Sequence, residues 1–347
     1  MFIAKRADKL NPITHALTAV ALDRAGLRRV SRMAMPILIV SGVAADLDLL
    51  SYFAGAGAYF HYRYALLHSI LGAAILTFLI ALAFWLTARR IKAAPLRFPR
   101  VLLLCAIGVA AHILLDLATA DGVQLLWPFH VRWFSWDVLN GNDPWILALL
   151  AIGLLLPALF HLVTEEIASK KSRKHSSKGA IAALAILALY IGARAGLHAT
   201  AVQTLLAHDY HGAMPLVAGA FPDSVSLVSW RGVLDTKNTI EVVSVPVGGG
   251  DVFDANSSLT HYKPASSPAL DAARSAPLAK QFLRYARFPL ADLENTADGY
   301  RITLRDLRFP DDADTPDDLV AVIELNANFT LRSQAMEFAT QQQDRTR

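Results

Sequence analysis

The sequence predicts a multi-span α-helical membrane bundle followed by a small soluble α+β domain. Three observations carry that prediction. Of 347 residues, 54% are hydrophobic and only 18% are charged, whereas a soluble domain carries about 25% charged residues. The apolar excess lies before residue 200, in several runs near the roughly 17–25 residues that a membrane helix needs. After residue 200 the runs shorten, alternate and become rich in β-branched residues. The division places a helical membrane domain at 1–200 and an extracytoplasmic α+β domain at 201–347.

Six helices are expected in the first part. Asn11-Pro12 is a cap followed by proline at the first helical position, so a short first helix covers Pro12 to about Leu22. It is too short to span easily and reads as re-entrant or held within the bundle. The second runs from about Met33 to Leu50, the third from Leu66 to Leu86 and the fourth from Val101 to Ala118. The fifth covers Trp145 to Val163 and the sixth about Ala180 to Leu197. In the second part, "VSLVSWRGVL", "TIEVVSVPV", "GYRITLRDLRF" and "DLVAVIELNANFTL" read as strands. "PALDAARSAPLAKQFLRYARF" reads as a helix with a proline break, and "VPVGGGDVFDANSS" as a hairpin-like connection. No internal repeat and no cleavable signal peptide are expected.

Charge predicts orientation. Basic residues crowd alternate connections: Arg24, Arg28, Arg29 and Arg32; Arg89, Arg90, Lys92, Arg97 and Arg100; Lys170, Lys171, Arg173, Lys174 and Lys178. The intervening loops, 51–65 and 120–144, hold only Arg63 and Arg132. The positive-inside rule puts the basic loops in the cytoplasm and both ends of the six-helix unit outside, with Lys5, Arg6 and Lys9 running against it. Trp127, Trp133, Trp136 and Trp145, in or beside the second outer loop, read as interfacial. The net charge of +4 resides in clusters between spans, not on one basic face, which excludes nucleic-acid binding. Cys105 is the single cysteine, so no intramolecular disulfide forms.

An ionisable residue in a membrane segment is costly, and is by default a functional candidate. Helix direction places all the candidates at the outer face. His15 lies near the outer end of the first helix, Asp46 and Asp48 at that of the second, His61, Arg63 and His68 before the third, and His112 and Asp116 near the end of the fourth. Imidazoles and carboxylates at one level suggest a site for Zn²⁺, Mn²⁺ or Fe²⁺. His112 and Asp116, four apart, share a helix face. Asp46 and Asp48, two apart, address one centre only from a frayed helix end, or one of them orients a ligand. His198, His208 and His211 read instead as an exposed juxtamembrane group. No nucleophile elbow, phosphate loop or zinc-finger pattern is present.

Four segments, "NPITHAL", "AADLDLL", "HYRYALLHSI" and "AHILLDLATADG", resemble in order and spacing a bacterial YdjM-like family of membrane-bound metal-dependent hydrolases, over roughly residues 10–165. Members include an inner-membrane protein of the SOS regulon. The outer domain looks like the extension of longer members. Ala45 stands where the family usually has proline, Leu67 where threonine is common, and Arg63 and His68 are one residue further apart than usual. The resemblance implies metal ligation by His15, Asp46, His68, His112 and Asp116. It implies Asp48 as a ligand or orienting group, and His61 and Arg63 at the rim, Arg63 binding an anionic substrate group.

The resulting expectation is a metal-dependent hydrolase of the bacterial inner membrane, with Asp48 and Arg63 assisting catalysis. Its divalent ion is expected to be zinc, with manganese or iron as alternatives. Its partners are membrane lipid and a lipid-derived or phosphoester substrate. The alternative is a non-catalytic membrane protein with a structural metal or polar cluster and a partner-binding outer domain. A transporter or proton relay is less favoured without an inverted repeat.

Overall fold

The computed structural model describes residues 11–90, 96–167, 177–248, 250–309 and 319–338. Seven helices come first: α1 (Pro12–Ala25), α2 (Ala34–Val43), α3 (Ala56–Tyr62), α4 (Ile70–Arg90), α5 (Phe98–Leu117), α6 (Pro144–Ile167) and α7 (Lys178–Leu206). Two antiparallel four-stranded sheets follow. The first holds β1 (Val217–Pro222), β2 (Ser229–Asp235), β3 (Thr239–Pro246) and β4 (Leu259–Tyr262) in that order; the second holds β5 (Pro289–Thr296), β6 (Gly299–Asp306), β7 (Leu319–Asn326) and β8 (Leu331–Phe338). Helices α8 (Pro268–Ser275) and α9 (Pro277–Tyr285) lie between them, broken at Pro277 as expected. The fold is thus a helical membrane part followed by an α+β part.

Among the described residues, four helical stretches are long and apolar enough to cross a membrane: Ala34–Ala54, Ile70–Arg90, Phe98–Leu117 and Lys178–Leu206. The first joins α2 to a 3-10 segment, Ala44–Ala54. The basic cluster at 170–174 lies outside the described residues.

The structure departs from the sequence reading in several places: the 51–65 stretch read as a loop carries α3, the second predicted helix becomes 3-10 after Val43, and three further elements differ. The third predicted helix starts at Ile70, not Leu66, because the Ser69 hydroxyl accepts from the Gly72 amide at 3.0 Å and sets the start. Residues 63–69 form turns instead, with Tyr64 in the left-handed region (φ 55°). The sixth predicted helix runs past Leu197 to Leu206, since Ala201 and Leu205, one turn apart, bury against Trp230, Leu234, Val243 and Val245 of the first sheet. "DLVAVIELNANFTL" is two strands, folded back at Asn326–Thr330.

The two parts are joined by packing. Tyr59 and Phe60 of α3 sit in one core with Phe282 of α9 and Ile302, Ala321 and Ile323 of the second sheet. The sheets meet through Phe221, Val233, Phe288, Leu290 and Leu307. Apolar burial at about 25 cal/mol per Å² makes these contacts a principal source of cohesion.

Candidate metal centre

Four helix ends converge at the end of the bundle that faces the sheets. At the first, the Asn11 side chain accepts from the Ile13 amide at 2.9 Å, so His15 sits one turn inside a capped helix. At the second, the 3-10 segment carries Asp46 and Asp48, both buried. Its three residues per turn differ from the 3.6 of an α-helix, which lets carboxylates two apart both reach the cluster. His68 precedes α4 in the turn that Ser69 fixes. His112 and Asp116 occupy the last two turns of α5 on one face.

Small residues set the depth of this convergence. A Cβ on Gly108 would lie 2.1 Å from Ser41 Oγ and 3.1 Å from the Leu38 carbonyl, so α5 meets α2 more closely than any other residue allows. One turn on from Gly108, His112 Nδ1 donates to the Gly42 carbonyl at 2.8 Å.

Asp116 is the hub. Its Oδ1 lies 3.1 Å from His15 Nε2, and its Oδ2 lies 3.1 Å from His68 Nε2 and 3.3 Å from His112 Nε2. The two Nε2 atoms of His68 and His112 are 3.1 Å apart. The His15 and His112 rings stack at 3.9 Å. Asp46 Oδ1 is 3.9 Å from His112 Nε2. Asp48 Oδ2 accepts from the Tyr64 amide at 3.0 Å and lies 2.9 Å from His68 Nδ1, a charge contact and not an aligned hydrogen bond.

The proton positions follow from these partners. His112 Nδ1 holds the proton it donates to Gly42, and His68 Nδ1 faces a carboxylate oxygen that only accepts. Their Nε2 atoms meet each other and Asp116 Oδ2 at 3.1–3.3 Å. Three lone pairs at that spacing repel unless a proton or a metal ion lies among them. His15 Nδ1 has no hydrogen-bond partner among the described residues. His15, His112 and Asp116 offer ligand atoms all within 4.8 Å of one another. Imidazole nitrogens with a carboxylate oxygen suit zinc, manganese or iron. Metal-bound histidines commonly give their other nitrogen to a carbonyl or carboxylate, as His112 does here to the Gly42 carbonyl. The residues fit a divalent ion.

The cluster is closed to solvent: the side chains of His15, Asp48, His68, His112 and Asp116 are 0–1% exposed, and that of Asp46 is 7% exposed with both carboxylate oxygens buried.

Arg63 belongs to a different network. Its guanidinium donates to Asp121 Oδ1 at 3.1 Å, and the Tyr64 hydroxyl donates to Asp121 Oδ2 at 3.3 Å. Burial pushes the Asp121 carboxyl above the ordinary carboxylate range, against the pull of Arg63 and Arg308. Burial opposes the Arg63 charge, yet Asp121 and the flanking tyrosines hold its pKa well above the ordinary value. Arg308 donates to Asp306 Oδ2 at 2.7 Å and to the Ala120 carbonyl at 2.9 Å, tying the 118–140 loop to the second sheet. Arg287 spans Asp137 at 2.8 Å to both oxygens. Tyr64 links the two networks: its amide holds Asp48, and its ring is 5.3 Å from that of His68.

The structure thus brings His15, Asp46, Asp48, His68, His112 and Asp116 together and places Arg63 beside them, paired to Asp121. His61 is exposed at a rim, 3.3 Å from Gln281. His198, read as exposed, is instead half-buried with its ring tilted and 5.5 Å from that of Trp230, while His208 and His211 are exposed. Trp136 and Trp145 are half-exposed, as interfacial residues are, but Trp133 packs on Tyr285 of α9. Sequence reasoning missed Tyr64, Asp121 and Gly42. Tyr64 and Asp121 lie inside the quoted segments, and the Ser41-Gly42 pair in an apolar run is a signal for close helix crossing.

The order of these elements along the chain coincides with a known family. A family model described as YdjM inner membrane protein matches residues 10–201, more than half of the chain. The chain belongs to the YdjM inner membrane protein family. Every member of the His/Asp cluster falls inside the matched region, so the cluster is built from the part that the family shares. No curated protein and no solved structure matches the chain.

Proposed function

We propose that this YdjM-family protein is a membrane-bound metal-dependent hydrolase, with its centre at the outer face of the inner membrane. The observation that carries this is the convergence of imidazole nitrogens and carboxylate oxygens around Asp116. His15, His112 and Asp116 would hold the ion, with His68 as a further ligand and zinc as the expected metal. When bound, a divalent ion there supplies Lewis acidity, lowering the pKa of water and polarising a scissile ester. The chain's own residues fix the rest. The Gly42 carbonyl and Asp48 orient the His112 and His68 rings. Asp46, whose carboxylate lies 3.9 Å from His112 Nε2, would take the proton of an attacking water. The sidedness draws support from Arg24, Arg28, Arg89, Arg90, Arg97 and Arg100, which flank helix ends opposite the cluster.

The test is metal analysis of gently extracted protein beside hydrolysis of a phosphoester lipid in mixed micelles. Stoichiometric metal with turnover is expected in the wild type, and neither in His112→Ala or Asp116→Ala. Background metal in the wild type overturns the reading.

One observation favours a second reading, a structural metal or polar cluster. The void beside His15, Gly42, Gly108 and His112 has no room for a water-sized sphere. A closed four-ligand centre is structural, whereas catalysis needs an open position. Cobalt-substituted protein whose visible spectrum shifts on adding an exogenous anion has that open position; an unchanged spectrum supports the structural reading.

A further inference from the structure

Above the cluster, the 118–140 loop and α9 enclose a cleft of about 540 Å³, lined by Arg132, Trp133, Arg284, Tyr285, Arg287 and Arg308, with Asp121 also on its wall. A second hollow of about 400 Å³ shares Trp133, Arg284 and Tyr285 and adds Lys280 and His61. The two hollows adjoin along Val131, Trp133, Arg284 and Tyr285, and together are called the groove. Its charges do not balance. Arg308 is satisfied by Asp306, Arg287 by Asp137, and Asp121 by Arg63. Arg132, Arg284 and Lys280 are exposed, and none has a carboxylate within salt-bridge distance among the described residues. Three cations from two chain segments, none of them in an ion pair among the described residues, therefore line the two adjoining hollows, Arg284 lining both. Planar guanidinium groups beside Trp133 and Tyr285 suit a phosphate oxygen fork with an organic group attached.

The surroundings select the carrier of that phosphate. The same loop exposes Leu126 (39%), Phe129 (77%), Val131 (48%) and Trp136 (47%) around the cleft. Apolar side chains with tryptophan at the level where the spans end are what a bilayer interface receives. A phosphate group in the cleft and an acyl chain along this rim satisfy both halves of the surface. The floor also lies next to the cluster. Leu117 and Asp121 line the cleft one and five residues after Asp116, and Tyr64 connects Asp121 to His68.

We propose that this groove binds the phosphate headgroup of an anionic membrane lipid, held by Arg132, Arg284 and Lys280. That the lipid is also the substrate rests on the hydrolase reading; its binding does not. The test uses full-length protein in detergent, titrated by thermophoresis with short-chain phosphatidic acid, with phosphatidylcholine of equal chain length, and with glycerol 3-phosphate. Phosphatidic acid is expected to bind at least tenfold tighter than either of the others. The double variant Arg132→Gln/Arg284→Gln should lose at least tenfold in that affinity, keep its metal and keep its melting temperature. Arg332→Gln, an exposed site at the start of β8 that lines neither hollow, should change nothing. Glycerol 3-phosphate binding as tightly as the lipid overturns the lipid assignment, and unchanged lipid affinity in the double variant overturns the site. Wild type without metal that still binds lipid through Arg132 and Arg284 sinks the hydrolase reading while leaving this one standing.

Discussion

Two polar clusters are bridged by Tyr64, and they are built on opposite principles. Around Arg63, Arg287 and Arg308, each guanidinium meets its own aspartate: Asp121, Asp137 and Asp306. That network needs nothing from outside, and it fastens the 118–140 loop to the sheets. Around Asp116 the partners are three imidazoles, and no arginine or lysine reaches it among the described residues. Its nitrogen lone pairs and carboxylate oxygens converge without a fixed cation. A fixed positive side chain marks a structural joint, because its charge cannot leave. Converging acceptors mark a place for an exchangeable cation.

Breaking each cluster should therefore have different consequences. The largest effect is expected for Arg308→Met, which leaves the Asp306 carboxylate buried with its backbone amide donors but without its cation. The loss of stability should be about 3–5 kcal/mol in thermal or denaturant unfolding, with metal content per folded chain unchanged. Loss of metal in that variant would show that the two networks are one. Chelation should act only on the other cluster. After removal of divalent ions, adding zinc to about a hundred times its dissociation constant should restore roughly 2.7 kcal/mol in the wild type and nothing in Asp116→Ala. An equal zinc effect in both proteins would place the ion elsewhere.

Smaller changes sharpen the boundary. Gly108→Ala forces a methyl against Ser41 and should cost about 1–3 kcal/mol. It should also weaken metal binding by roughly 10–100-fold, because the Gly42 carbonyl no longer holds His112. Unfolding curves and competitive metal titration read these separately. The smallest effect belongs to Tyr64→Phe. It removes the hydroxyl bond to Asp121, worth about 0.5–1.5 kcal/mol, but keeps the amide bond to Asp48. Metal affinity should stay at the wild-type value; a tenfold drop would mean that the hydroxyl matters to the centre.

Much of the helical part was legible because its signals are local. Apolar runs, the Asn11-Pro12 start and the four-residue spacing of His112 and Asp116 need no tertiary information. Arg counts between spans predicted that the polar residues share one end, and the helix directions place them so. Where the prediction slipped, a local cap or a distant surface decided. Ser69 ended the apolar run's claim to residues 66–68, and the first sheet drew α7 on to Leu206. Arg63 read as a rim residue because sequence cannot show that Asp121, 58 residues away, is its partner.

By itself the sequence determined the membrane helices, the strand-rich second part, and the imidazoles and carboxylates that share one end of the bundle. These follow from hydrophobicity, periodicity and charge, which act over one or two turns. Only the tertiary structure decided that the strands form two sheets and that α3 belongs to the core of the second. It alone showed that Gly42 and Gly108 set the distance at which His112 meets its partners. It also separated the charge-balanced arginines from the acceptor cluster, because charge balance depends on which groups meet in space, and chains bring together residues that their sequence keeps far apart.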